Sequence, residues 1–346
     1  RPVEIPASWT NRRILVHFDR ISSDARVYCN GIEAGALGFM GGELDITQWA
    51  RPGTSLDLSV LVEARDRWIV LPTLLNRPSK SWQARLGTAG IVGDVFLTAK
   101  PDGVQLGDCR IVTSVANRQL TVGVPLVTRD GMDFPGDFAL RCDVRDGEKL
   151  VKSFTGNAIV AKGTATARFA WPEVKLWDVG QPKLYALTVS LLQGGRVVDQ
   201  TLPQTFGFRD FEIRGKFFYL NGVKLNLVPC SYSISRGNWG TKEAMRHWVK
   251  GAQVAGYNFV YLGETDRPGK PEVASHLLEV CDELGMLAAV SPLGVGHAVY
   301  GRFDLPEVWQ PWTEIVTKRV RKDWNHPSLV MWRMNMNLNC YAQDQN

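Results

Sequence analysis

From about residue 215 the chain repeats one unit, a short apolar run followed by an amphipathic helix, and this pattern constrains the fold more than any other feature. Strands separated by helices must run parallel, because each helix carries the chain back to the same end of the sheet. The runs at 257–262, 286–290 and 328–332 lack the in-and-out alternation of a half-exposed sheet, which predicts burial on both faces. Between them, Thr241 is placed to cap a helix that runs to Ala255, with Gly256 as its left-handed stop. Met245, Trp248, Val249 and Ala252 recur at helical spacing and give that helix one apolar face. Pro271 opens a second helix that ends at Leu284 before Gly285, and a third is predicted from Trp309 to Trp324. About four parallel strands fit before residue 346, which predicts the first half of a (β/α)8 barrel. Half a barrel leaves an open edge and an uncovered core, so the native protein is expected to continue past Asn346.

The first two hundred residues follow the other period. Short β-prone runs at 13–18, 25–29, 56–62 and 93–98 are separated by Gly, Pro and polar turns, and Asn30-Gly31 is a type I′ hairpin signal. A second series follows at 110–113, 119–124, 138–144 and 184–191. Many short strands with turn residues between them predict two β-sandwiches, the second of immunoglobulin-like size. The expected domains are 1–103, 104–214 and 215–346.

Several function classes are disfavoured. The formal net charge is only +5, with no basic run, so nucleic-acid binding is not indicated. No apolar stretch reaches the roughly 18 residues needed to span a bilayer, so no membrane partner is expected. The six Cys are isolated, without a C-x-x-C pair, and read as buried thiols rather than a disulfide framework or a metal site. No metal and no cofactor is expected. Gly38–Gly42 lacks the strand–helix context of a nucleotide loop, and no Gly-x-Ser-x-Gly elbow is present. The compartment is not readable, and the oligomeric state is left open, a homo-oligomer included.

Three stretches carry a resemblance to a known family. In the first, Val27-Tyr28-Cys29-Asn30-Gly31 followed by Asp45-Ile46-Thr47, and later Gly90-Ile91-Val92-Gly93-Asp94-Val95-Phe96-Leu97, resemble V-x-x-N-G … D-I-T and G-I-x-x-D-V-x-L. In the second, Trp177-Asp178 with Pro182, Leu184 and Tyr185 resembles W-x-x-x-x-P-x-L-Y, followed by Phe206-Gly207-Phe208-Arg209 and Phe218-Tyr219-Leu220-Asn221-Gly222. In the third, Arg321-Lys322-Asp323-Trp324-Asn325-His326-Pro327-Ser328 is similar to R-D-x-N-H-P-S. Taken in order over nearly the whole chain, they resemble glycoside hydrolase family 2, the β-galactosidase/β-glucuronidase family. The resemblance implies a multidomain β and α/β protein: a jelly-roll-like sugar-binding sandwich lacking its first strands, an immunoglobulin-like sandwich, and the front of a catalytic TIM barrel. It implies a carbohydrate substrate and hydrolysis of terminal β-linked sugars by a retaining mechanism.

The resemblance also locates the site, with departures. Retaining glycosidases use two carboxyl groups about 5–5.5 Å apart, one protonating the leaving oxygen and one attacking the anomeric carbon. The family's acid/base Glu closes the fourth barrel strand in a W-S-x-x-N-E segment, and its nucleophile comes from the seventh strand. The matching stretch is Trp332-Arg333-Met334-Asn335-Met336-Asn337, which puts Asn337 at the Glu position and Met336 where Asn is usual. An amide has no titratable proton near neutral pH and cannot act as general acid or base. Tyr261 stands where the family usually has Arg. Three explanations compete: an acid/base from elsewhere, either Glu264 or Asp266 after the second strand or a residue of the half beyond residue 346; a pseudoenzyme that binds glycans without cleaving them; or an engineered Asn. Candidate substrate contacts are Trp332, Asn335, Met336, Tyr261 and His297, which follows the third strand. Trp332 and His297 have plainer alternatives, as barrel packing and as a solvated loop residue, and Glu264 has the plainer reading of a solvated loop charge. Asp45 and Asn30 are expected to be turn and strand-end residues, and Asp323 and His326 to fix the turn into the fourth strand through local hydrogen bonds.

Overall fold

The computed structural model describes residues 1–19, 21–22, 24–38, 41–63, 90–91, 93–128, 137–232, 241–262, 273–290 and 306–333. The first unit is a β-sandwich. One sheet orders Pro2–Glu4, Ser55–Glu63, Asp24–Cys29 and Ile32–Leu37, and the other orders Gly42–Asp45, Arg12–Phe18 and Val95–Pro101. Alternation along the strands aims Ile14, Val16 and Phe18 of one sheet at Ala25, Val27, Cys29 and Leu56 of the other. The Asn30-Gly31 turn has φ of 52° and 80°, as a type I′ hairpin requires. Asn30 also accepts the Asp57 amide through Oδ1, and Asp45 accepts Thr47 N and bonds Arg13, so both acidic-or-amide residues act as local ties.

The second unit is also a β-sandwich. Its long strand Gln119–Val127 buries every second residue and pairs with Arg110–Ser114 and Thr164–Ala170. The facing sheet is built on Phe138–Asp146 and Leu184–Gln193. Leu120, Val122 and Val124 meet Leu140, Cys142, Leu187 and Val189, with Trp171, Phe206 and Phe208 closing one end.

Next comes an antiparallel meander, Phe211–Arg214, Phe217–Leu220 and Val223–Leu225, which spans the expected boundary at 214/215. Asn221 holds it in place: its amide nitrogen donates to Trp177 O and Asp178 Oδ2, and its oxygen accepts the Asp210 amide.

The last unit is a four-stranded parallel sheet in chain order: β1 (Pro229–Tyr232), β2 (Phe259–Leu262), β3 (Leu287–Val290) and β4 (Leu329–Trp332). The intervening helices are α1 (Lys242–Val254), α2 (Val273–Leu284) and α3 (Pro306–Asp323). Thr241 caps α1 by accepting the Ala244 amide at 3.2 Å, and Gly256 follows with φ of 88°. Met245, Trp248, Val249 and Ala252 pack against the sheet, as the helical spacing predicts. Lys242 pairs with Glu279 and Arg246 with Glu283, one helical turn apart on each helix, and they lock α1 against α2. All four residues of β3 are buried, so the absence of alternation does mark a strand covered on both faces.

The two faces of this sheet differ. One carries Tyr232, Val260, Leu262, Ala288 and Val290 against α1 and α2. The other carries Phe259, Tyr261, Leu287 and Ala289, and it meets Leu220, Phe211 and Leu225 of the meander and Trp177. The meander therefore lies under this second face, called the inner face below.

Two glycines mark where the second sandwich presses on the parallel unit. A Cβ on Gly207 would lie 2.7 Å from Trp177 Cβ and 2.8 Å from Pro327 Cβ. Gly285 has φ of +68°, and a Cβ there would lie 2.6 Å from Gly180 N. Gly180 N donates to Gly285 O at 3.0 Å, so that close approach is itself a hydrogen bond.

Candidate functional site

In parallel α/β sheets the loops at the carboxyl ends of the strands form the working surface, because the helices begin there. Here that rim ends in the register row Tyr232, Leu262, Val290 and Trp332. This row faces the helices. Tyr232 is buried edge-on against Trp248 at 4.8 Å, and burial pushes its phenol up to about 12. Trp332 packs half-buried into the same helix-side cluster.

The residues one step earlier, Ser231, Tyr261, Ala289 and Met331, form the next register row. Tyr261 and Met331 lie with Ala289 on the inner face. A register shift at Ala288/Ala289 lets both Val330 and Met331 join that face. The Arg333 amide still donates to Val290 O at 2.9 Å, so pairing with β3 continues one residue beyond β4. Strand alternation then turns the Arg333 side chain inward. Its guanidinium carbon sits 4.4 Å from the centre of the Tyr261 ring, a cation–π contact. Tyr261 is on β2, so the guanidinium crosses β3 where Ala289 presents only a methyl group.

Of the residues singled out from sequence, the structure brings Tyr261 to the inner face and Trp332 to the helix side. Asn337, Glu264, Asp266, His297, Asn335 and Met336 lie outside the described residues. Arg333 was missed. Its signal was available, since one more step of alternation past Trp332 returns to the inner face. Among the described residues no group of three or more His, Cys, Asp or Glu is arranged to hold a metal. None of the described helices is long and apolar enough to cross a membrane. The five described cysteines are free thiols, and burial raises Cys109 to about 12.

The Asp-Trp-Asn-His-Pro-Ser turn before β4 sits at the opposite end of the sheet and does more than fix a local turn. Trp324 Nε1 and Asn325 Nδ2 both donate to Cys109 O, at 3.0 and 2.9 Å, and Asn325 Oδ1 accepts the Ile111 amide at 2.9 Å. Arg209 of the second sandwich returns the grip, donating through Nε to Pro327 O at 2.9 Å and through Nη2 to Leu329 O at 2.7 Å. His326 Nδ1 lies 2.5 Å from Asp282 Oδ2, and Asp282 Oδ1 accepts the Ser328 amide at 2.9 Å. Asp323 accepts Ser275 Oγ and pairs with Arg319, both fully buried. Asp282 and Asp323 are therefore engaged at this end of the sheet, away from the carboxyl rim. A cleft of about 680 Å³ runs beside β4, between it and the second sandwich, lined by Arg110, Thr113, Arg209, Trp324 and Trp332 among others.

Comparison with known proteins agrees with this architecture. A family model described as glycosyl hydrolases family 2 matches residues 104–209, the second sandwich. A putative β-glucuronidase of Formosa agariphila is 26% identical over 338 residues, covering 94% of this chain and 38% of its own length. A β-galactosidase of Thermoanaerobacterium thermosulfurigenes is 23% identical over 354 residues, covering 97% of this chain and 46% of its own length. Among solved structures, a family 2 member from Bacteroides cellulosilyticus superposes with a TM-score of 0.68 at 21% identity, over 97% of this chain and 44% of that one. The Bifidobacterium dentium β-glucuronidase complexed with coumarin-3-O-glucuronide also gives 0.68 at 21% identity, over 96% of this chain and 58% of that one. The chain spans less than half the length of these two curated relatives. Residues 104–209 are thus a glycosyl hydrolase family 2 domain, in a chain that is similar over nearly its whole length to proteins named β-glucuronidase and β-galactosidase.

Proposed function

We propose that the chain is the front portion of a glycosidase acting on terminal β-linked sugars. On this reading residues 1–103 are a jelly-roll-like sandwich, 104–214 an immunoglobulin-like sandwich, and 215–346 the first half of a (β/α)8 barrel. The observation that carries it is the parallel sheet β1–β4 in strict chain order, helices on one face and an apolar inner face on the other. Such a sheet closes into a barrel when further βα units pair with the outer edge of β4, beside which the cleft now runs. The names of the relatives, β-galactosidase and β-glucuronidase, support the substrate class.

Catalysis would follow the retaining scheme. A carboxylate from a later strand attacks the anomeric carbon while a proton reaches the leaving oxygen; water then releases the sugar. Asn337 holds the position from which that proton normally comes, and Glu264 or Asp266 beyond β2 would supply it instead. Tyr261, His297, Asn335 and Met336 would line the sugar, with Trp332 buttressing the rim from the helix side.

A second reading is favoured by one residue: with Asn337 as a hydrogen-bonding amide, the protein would bind a glycan without cleaving it. The full-length protein decides between them when offered β-nitrophenyl glycosides. Release of nitrophenol supports the enzyme. Sugar affinity by calorimetry without turnover supports the binder, and neither result would refute both. General acid–base catalysis contributes about 10²–10⁴-fold, so Asn337→Glu should bring out turnover in the binder if its other carboxylate is present, and should raise a weak wild-type kcat by about 10²-fold if the protein is an enzyme.

A further inference from the structure

The outer face of the meander gathers charge of one sign. Strand alternation turns Phe211, Leu220 and Leu225 toward the parallel sheet, and Arg214, Phe217, Tyr219 and Lys224 away from it. Lys224 Nζ lies 3.5 Å and Lys216 Nζ 5.5 Å from the centre of the Phe217 ring, and the Arg214 guanidinium carbon lies 4.6 Å from that of Tyr219. Cation–π attraction holds these side chains in place, so less freedom is lost when they meet an anion. Among the described residues Glu212 is the carboxylate that pairs with this cluster, and it takes Arg214 at 2.8 Å. An excess of two positive charges is left, both on exposed lysines. Like charges repel at this range, so gathering them becomes favourable when an anionic surface faces them. Apolar side chains stand at the same turn: Ile213 is 65% exposed and Phe217 38%, on either side of Arg214-Gly215-Lys216. The patch is a sheet face rather than a groove, and the cleft beside β4 reaches only Phe211 and Glu212 of the meander.

We propose that this turn and the outer face of the meander form a peripheral docking surface for an anionic lipid bilayer. Cations beside exposed apolar side chains suit the headgroup layer, where the lysines meet lipid phosphate and the apolar side chains enter the acyl boundary. An acidic peptide would satisfy the charges, but it would ask for a groove or pockets to seat its side chains. The expectation of no membrane partner rests on the lack of a spanning stretch, and a peripheral contact needs none. The surface lies at the amino end of the sheet, because the meander packs with Phe259 and Leu287, the first residues of β2 and β3. Docking there leaves the carboxyl rim facing away from the bilayer. Each cation near an anionic leaflet strengthens partitioning about fivefold, so an excess of two gives about 30-fold.

The test is cosedimentation of the full-length protein with vesicles of phosphatidylcholine alone and with vesicles in which about a third of the lipid is phosphatidylglycerol. Partitioning should be at least about tenfold stronger into the anionic vesicles. Raising NaCl from about 50 to 500 mM should remove most of that difference. The double variant Lys216→Gln/Lys224→Gln should lose the preference at least about tenfold, and Lys216→Arg/Lys224→Arg should keep it. Lys149→Gln, at an exposed lysine of the second sandwich, should change nothing. Equal partitioning into the two kinds of vesicle, or none into either, would overturn the proposal, as would a double glutamine variant that keeps the preference. So would a wild type that leaves the vesicles alone yet binds soluble poly-glutamate, which would assign the surface to an acidic polypeptide. The wild-type comparisons stand even if the double variant does not fold. No sugar enters the readout, so the proposal stands or falls apart from the glycosidase reading.

Discussion

Replacing Arg209 by methionine isolates the seam between the second sandwich and the parallel sheet. Methionine keeps much of the aliphatic length and removes the two donors that reach Pro327 O at 2.9 Å and Leu329 O at 2.7 Å. A hydrogen bond from a charged donor contributes about 1.5–3 kcal/mol, and a buried carbonyl left without a partner costs about 1–3 kcal/mol. Two such bonds set an upper bound of about 6 kcal/mol. Two effects reduce it. Burial lowers the Arg209 pKa despite the nearby Asp282 and Asp210, so deleting the charge also relieves a desolvation cost. The adjoining cleft lets water reach the freed oxygens. The expected net loss is about 2–4 kcal/mol on the same scale. Urea unfolding of the full-length protein, compared with wild type, reads the total. Hydrogen exchange at the Ile111 amide, which is bonded to Asn325 Oδ1, reads the seam locally and should lose protection. Arg145→Met, which breaks one exposed bond to Glu148 O, should fall within about 0.5 kcal/mol of wild type. A loss below about 1 kcal/mol for Arg209→Met, with Ile111 protection intact, would refute the view that this residue bolts the two units together.

Two further outcomes are expected. Gly285→Ala should destabilise by more than Gly256→Ala, by at least about 1 kcal/mol in thermal or urea unfolding. Both positions have positive φ, which costs about 1–2 kcal/mol for alanine, but only at 285 does the added Cβ meet backbone, at 2.6 Å, against open space at 256; equal losses would show that the contact with Gly180 yields. For His326, burial pulls the pKa down, but Asp282, Asp323 and Glu279 outweigh it and hold the pKa above the ordinary imidazole value of about 6.5. The folded state therefore holds the proton more tightly than the unfolded one. The stabilisation is complete below the ordinary value and is lost as pH rises through the raised one. The gap in melting temperature between wild type and His326→Gln should be widest near pH 6 and narrow toward pH 9; a gap independent of pH would exclude a protonated His326 in the seam.

Much of the fold was legible because it rests on local chemistry. The Thr241 cap, the Gly256 stop and the apolar stripe Met245-Trp248-Val249-Ala252 all operate within one helix, and each lies where the spacing puts it. The Asn30-Gly31 hairpin and the unalternating run of β3 are equally local. What sequence could not give is contact between distant segments. Asp323 and His326 read as a local turn because their neighbours along the chain suffice to make one. The decisive partners are Asp282 on α2 and Cys109, Ile111 and Arg209 in the sandwich, which no spacing rule connects. The site was legible only in part. Tyr261 does lie inward near the rim, whereas Trp332 faces the helices, because the register shift before Ala289 reverses the simple alternation along β4. Arg333 went unnoticed because a charged residue after an apolar run looks like the end of a strand.

Arg209 takes hold of main-chain oxygens, so neither the Pro327 nor the Leu329 side chain has any share in the grip. Positions 327 and 329 can drift as packing allows while the joint survives. All of the chemical demand falls on one side chain, long enough to span two carbonyls two residues apart and bearing donors in the right plane. Lysine, with a single nitrogen, would reach one oxygen and abandon the other, so at this joint even the mildest exchange of one positive residue for another would be felt.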